Sequence, residues 1–208
     1  AAENFQKIYW KMLKDKTVPF KTKFHSFFHL LNSSMFLLVL LVAILSVPIM
    51  YIKNNNPLFS WYFNVIAFFA ISTLIFFFCY WHTFKKIHGK GFWNFMEYIK
   101  MFFTFFSIAM GFSVHNSMAV LEGHFGKKSE FIRTPKFNIN TIKDSWKGNK
   151  YVNKNISGNT IIEALLMGYF GFALYSAFEL QDFGLFLFHI MLFLGFGFVF
   201  FTSITSKL

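Results

Sequence analysis

The chain has 208 residues, 55% of them hydrophobic and only 14% charged, with a formal net charge of +11. That mix excludes an ordinary soluble domain. Because the basic residues crowd between apolar runs, the charge points to anionic headgroups and phosphate-bearing substrates, not to nucleic acid. One cysteine, Cys79, excludes an intrachain disulfide and a thiolate metal cluster, and the 35 Phe carry no chemistry by number alone, since an AT-rich genome favours Phe, Lys and Asn together.

Residues 1–29 predict an amphipathic interfacial helix and its lead-in. Phe5, Ile8, Tyr9, Met12 and Leu13 share one face, with Lys7, Lys11 and Lys14 opposite. The segment has no initiator Met and no capping residue before its helical pattern, so the chain is expected to start inside a helix of a longer protein. Pro19 ends that helix. His25 and His29 stand at i, i+4, yet no Glu lies beside the first and no third ligand lies nearby, so interfacial packing is expected in place of a zinc site.

Residues 30–81 predict a transmembrane hairpin, Met35 to Ile52 and Leu58 to Trp81 about a short "KNNNP" turn. Pro48 is expected to kink the first arm, a defect that neighbouring helices can accommodate. Residues 159–208 predict a second hairpin, Ile161 to Phe178 and Phe183 to Ile204, joined by "ELQD". Ala164, Gly168 and Gly171 form a small-residue strip suited to close packing. His189, deep in the last span, is expected to be neutral and hydrogen-bonded to a neighbouring helix, with a proton relay as the alternative; Glu163 can cap its helix or meet a loop Lys and is assigned no role.

Residues 82–125 read as a basic loop and a long interfacial or re-entrant helix. From Trp93 to Phe125, Glu97, Lys100, Thr104, Ser107, Gly111, His115 and Glu122 draw a polar stripe, facing either the bundle or the headgroups. Basic residues number six before the first span, three in 82–92 and eight in 126–158, against a single Lys53 in the two short turns. The positive-inside rule then keeps every basic loop cytoplasmic if 93–125 does not cross. The expected fold is all-α and integral to the membrane: four transmembrane helices as two hairpins, amphipathic interfacial helices, both termini cytoplasmic.

Residues 126–158 are a long cytoplasmic connection, and structureless stretches of that length are usually functional or disordered. Pro135 pushes Thr134 out of helical space, so "FIRTPK" is expected to be extended. Phe131, Arg133 and Pro135 then face one way and Ile132, Thr134 and Lys136 the other. A hydroxyl and an ammonium on one side suit a phosphate-bearing ligand; an aromatic and a guanidinium suit a base or sugar face. A solvated basic loop on anionic lipid is the alternative.

The run "GFSVHNSMAVLEGHFGKKSEFIRTPKF", 111–137, resembles the membrane region of processive family 2 glycosyltransferases of the cellulose-synthase-like type. "FIRTPK" is similar to their gating-loop motif FxVTxK, with Phe131, Thr134 and Lys136 on its Phe, Thr and Lys and Arg133 in place of its Val. The resemblance implies a gating-type loop that swings over a nucleotide-sugar, Thr134 approaching the diphosphate. It implies inverting sugar transfer to a growing glycan or lipid acceptor in a bacterial-type inner (plasma) membrane. It also implies a carboxylate base and a divalent cation, Mg or Mn, both outside this chain. Residues 1–14 look like the continuation of the helix that carries such enzymes' QxxRW motif. These residues hold no QxxRW and no Asp-x-Asp, so the N-terminal catalytic domain is expected to be missing, and no cofactor is expected here. The alternatives are a small stand-alone transporter, for which the spans carry too few charged residues, and an accessory membrane subunit.

Overall fold

The computed structural model describes residues 2–56, 58, 60–68, 71–127 and 156–205, and every element in them is helical. The N-terminal segment runs as α1 (Ala2–Asn4), a π-helical turn (Phe5–Tyr9) and α2 (Trp10–Lys14). The Asp15 carboxylate takes the Thr17 N–H and hydroxyl and closes it off before Pro19. Of the apolar face expected there, Phe5 and Tyr9 are buried, stacked on each other and set against Phe27; Ile8 and Leu13 are exposed, as an interfacial helix requires of residues that meet lipid.

α3 (Phe20–Leu31) passes through a 3₁₀ turn (Asn32–Ser34) into α4 (Met35–Asn55) without a break long enough to separate them. Phe20–Asn55 is thus one of three helices among the described residues that are long and apolar enough to cross a membrane. The others are α9 (Gly158–Glu179) and α10 (Phe186–Thr205), and the chain is accordingly a helical membrane protein. α9 starts where Ser157, extended, accepts from the Thr160 N–H with its hydroxyl.

The expected second arm, 58–81, includes residues outside the described ones; what is described of it belongs to α5 (Ser60–Phe68) and α6 (Ile71–His88), and α6 carries the helix past Trp81, so Lys85 and Lys86 stand on its last turn instead of in a loop. α6 packs on α7 (Phe92–Gly111) through an aromatic zipper. Tyr98 lies among Phe77, Trp81, Phe84 and Phe102, and its hydroxyl donates to the Phe77 carbonyl at 2.5 Å. Each such ring pair contributes about 0.5–1.5 kcal/mol beyond its burial. Phe102 is therefore core, whereas Phe105 and Trp93 are exposed.

The single helix expected over 93–125 is two, α7 and α8 (Ser113–His124), bent by 43° about Phe112. Its stripe divides at that bend. Glu97, Lys100 and Thr104 are exposed, while Ser107 and Gly111 are buried against α10. There the backbones nearly touch: a Cβ on Gly195 would overlap the Ser107 carbonyl oxygen, and one on Gly111 the Gly195 carbonyl oxygen. The strip expected to serve close packing does less. Gly168 faces open space, and Gly171 meets only a Phe193 ring edge at ordinary contact.

The core lies between α4, α8, α9 and α10, where Ala43, Val47, Val114, Phe170, Ala173, Leu192 and Phe196 meet, with Phe170 and Phe196 stacked at 5.7 Å. Lipid is as apolar as these side chains, so dispersion and close approach hold the helices together. Gly195→Ala is therefore expected to destabilise the protein in detergent by about 1–3 kcal/mol, while Gly168→Ala, placed in open space, gains roughly 0.5–1 kcal/mol of helix propensity. Thermal unfolding of the two variants side by side checks this; equal midpoints would show that the α7–α10 contact is not what holds the bundle.

Candidate functional site

Phe131, Arg133, Thr134 and Lys136 lie outside the described residues. What is described is the point from which their segment departs. α8 ends at His124, whose Nε2 is 3.0 Å from the Ser34 hydroxyl and whose ring meets Phe5 edge-on. Gly123 comes so close to Ala2 that a Cβ there would sit 3.0 Å from the alanine methyl. Gly126 takes φ +70°, a left-handed turn that glycine adopts without strain, and Lys127 pairs with Glu122. Between these parts opens a polar cavity of about 390 Å³, lined by Glu3, Ser33, Asn116 and Glu122 with Phe36 and Val120. The mixture of carboxylates, amide, hydroxyl and one aromatic suits a polyhydroxylated molecule, whose hydroxyls can donate to the carboxylates and accept from the amide.

A second polar cluster lies one turn inside α9. Glu163 is fully buried, and the His115 Nδ1 is 2.7 Å from its Oε1. A carboxylate at that depth needs a partner, and His115 is one that the sequence left open; the loop lysines of 128–155 lie outside the described residues. Ser113, Ser117 and Thr160 are buried alongside. The signal was present in the sequence, since His115 stands on the stripe below Gly111, but the stripe's two possible faces left its partner open. His25 and His29 are both exposed.

His189 is fully buried and bonded to α4, its Nε2 2.8 Å from the Ser46 hydroxyl, as the expectation of a helix-bridging histidine had it. Ser46 also donates to the Ala43 carbonyl at 2.7 Å. A hydroxyl has one hydrogen, so with that donation made it is Nε2 that carries the ring proton. Among the described residues, Nδ1 has no hydrogen-bond partner.

The far end of the bundle is tied by charge. Lys53, near the end of α4, donates to the Asp182 carboxylate at 2.7 Å. Asp182 lies in the turn between α9 and α10, where Gln181 takes φ 54° and the Gly184 N–H donates to the other carboxylate oxygen at 3.1 Å. Burial pushes the Asp182 carboxyl up; the hydrogen bonds from Lys53 and Gly184 outweigh it and hold the group below its ordinary value.

Among the described residues no three His, Cys, Asp or Glu side chains lie together to hold a metal ion. No family model matches the chain, and neither a curated protein nor a solved structure does so.

A carboxyl held low in the folded protein adds stability above its unfolded value and loses it as pH falls through the folded one. The Lys53–Asp182 tie is therefore expected to weaken as pH drops through about 4 and below. Between pH 6 and pH 3 the unfolding midpoint of the wild type should fall further than that of Lys53→Gln, in which Asp182 has lost its main stabilising donor. Parallel midpoint curves would show that the tie contributes nothing.

Proposed function

We propose that the chain is the membrane-embedded C-terminal part of a glycosyltransferase that transfers sugar from a nucleotide-sugar to a growing polysaccharide or lipid acceptor. The observation that carries this is the spacing of Phe131, Thr134 and Lys136 directly after α8, within the run 111–137. On this proposal residues 126–158 close over the donor from the cytoplasmic side and exclude water that would hydrolyse it. Thr134 and Lys136 hold the diphosphate, while Phe131 and Arg133 meet the base or sugar face. The anchoring of α8 on Ser34 and Phe5 supports the idea, because a loop that must land on a small target works best from a fixed base. The polar cavity beside that base supports it too, being of a chemistry that suits a sugar's hydroxyls.

The base that deprotonates the acceptor belongs to a catalytic domain that these residues do not supply. The divalent cation, Mg or Mn, finds no ligand set among the described residues, so no step through it is assigned to this chain. The chain's own contribution is to seat the loop and to form the membrane floor below the donor.

The proposed topology has four crossings and both termini in the cytoplasm of a bacterial-type inner membrane. α4 runs from Ser34, beside His124, to Lys53, beside Asp182, so its two ends mark the two faces of the bundle. Between Asn55 at one face and His124 at the other, the chain must cross an odd number of times. We assign that crossing to the bent pair α7 and α8, because Gly111 packs against the middle of α10. Residues 1–34, 126–158 and the C-terminus then share the cytoplasmic face, and Lys85, Lys86 and Lys90 are the exception to the charge bias.

In the complete enzyme, Thr134→Ala with Lys136→Ala is expected to lower turnover on the order of a hundredfold with insertion and expression unchanged; wild-type turnover would reduce the loop to a lipid-surface feature. Topology has its own check. In a Cys79→Ser background, a cysteine at position 90 should react with a membrane-impermeant maleimide from outside intact cells, and one at position 127 should not. Labelling of position 90 only after lysis would return the crossing to 58–81.

A further inference from the structure

At the end of the bundle away from Ser34 and His124, the helices leave an apolar groove of about 570 Å³. Its floor is one stripe of α4, Val42, Ser46, Ile49 and Lys53, at spacings of four, three and four that bring them to the same side of the helix. Leu185 and Phe188 form one wall, Tyr62 and Phe63 of α5 the other. Ser46 adds little polarity, since it is buried with its hydroxyl bonded to Ala43 and His189. The volume falls in the range of about 300–1,000 Å³ usual for ligand sites.

The polar groups of the groove gather at one end, where Lys53 and Asp182 face each other across its mouth. They stand at the end of a span and in a short turn, which is headgroup depth. Ser46 lies seven residues deeper on α4, roughly 10 Å into the hydrocarbon. The groove thus has a charged pair at headgroup level and a greasy trough beneath, aligned with the bilayer normal as a lipid is. The Lys53 side chain is still 42% exposed and that of Asp182 18%, so both can receive a ligand.

We propose that this groove binds one phospholipid with a primary-ammonium headgroup, of the phosphatidylethanolamine class. One acyl chain lies against Ile49, Leu185 and Phe188, the phosphate takes the Lys53 ammonium, and the lipid ammonium donates to Asp182. The charge pattern selects the class. An anionic lipid satisfies Lys53 but sets a second negative charge beside Asp182, and a quaternary ammonium has no N–H to donate to the carboxylate. A zwitterion with N–H donors replaces one ion pair by two, each charge-assisted. The argument uses nothing from the donor-side loop and stands independently of the proposed transferase activity.

The test is native mass spectrometry of the purified chain in mild detergent, offered equimolar phosphatidylethanolamine, phosphatidylcholine and phosphatidylglycerol with identical acyl chains. Phosphatidylethanolamine should be retained about tenfold over each of the others, the worth of one charge-assisted hydrogen bond. Asp182→Asn should abolish that preference, and Leu185→Trp, which fills the trough, should lower retention of all three. Equal retention, a preference for phosphatidylglycerol, a dimer mass in place of a lipid adduct, or an unchanged preference in Asp182→Asn would each overturn the proposal. Should either variant fail to elute as a folded species, the wild type decides alone. Phosphatidylethanolamine with a photoreactive acyl chain should label peptides containing Tyr62, Phe63 or Phe188, and labelling spread evenly over lipid-facing α9 residues such as Leu165 would reject the site.

Discussion

Pro48 has no N–H, so the carbonyl of Ile44, one turn earlier in α4, loses the donor that an unbroken helix would supply. In hydrocarbon no water can replace it. The Tyr169 hydroxyl does so, reaching across from α9 to donate at 2.6 Å. Seven residues further along each helix the same two elements meet again, Tyr51 donating to Ser176 at 2.8 Å and Ser176 to the Phe172 carbonyl at 2.9 Å. The two bonds together set α4 and α9 side by side and parallel. Since α9 and α10 are joined by a short turn, the third span has to return alongside them, which brings His189 to Ser46 and the Asp182 turn to Lys53. The requirement that each buried polar group be met inside the protein thus determines the register of all three spans.

That requirement also explains which features were legible in the sequence. Long uncharged runs announce themselves, so α4, α9 and α10 follow from composition alone, and the lone His in the last run could hardly avoid a partner. What packs on 71–88 was not legible, because apolar length says where a helix can cross and not what it meets; its aromatic face matches α7, a partner that only the zipper of Phe77, Trp81 and Tyr98 reveals. Glycine placement failed for a related reason. Gly168 and Gly171 looked like an interface by spacing, yet the close approach belongs to Gly111 and Gly195, which meet each other from two different helices. Spacing within one helix cannot show which of its faces a second helix will meet.

The polar stripe is the feature on which sequence and structure bear together. A stripe of one periodicity suggested one environment, but the 43° bend at Phe112 gives its two halves different ones. Above the bend the charged members, Glu97 and Lys100, are exposed, and only the small Ser107 and Gly111 enter the bundle. Below it, His115 turns to the buried Glu163. The order is physically sensible: small residues where backbones touch, and a titratable pair where α8 reaches the start of α9 and a buried carboxylate calls for polar company.

The two faces of the bundle are built to different rules. At the end where Ser34 meets His124, rings and a hydroxyl–imidazole contact join separate helices, as between Phe5, Ser34 and His124, while the ion pairs Lys7–Glu3 and Lys127–Glu122 are local to their own segments. At the other end an ion pair does the joining, Lys53 of α4 to Asp182 of the turn between α9 and α10. A bundle held at one end by rings and at the other by an ion pair responds unevenly to what approaches it. At the Lys53 end an arriving phosphate must come with its own cation or break the tie, because the ammonium there already holds a carboxylate.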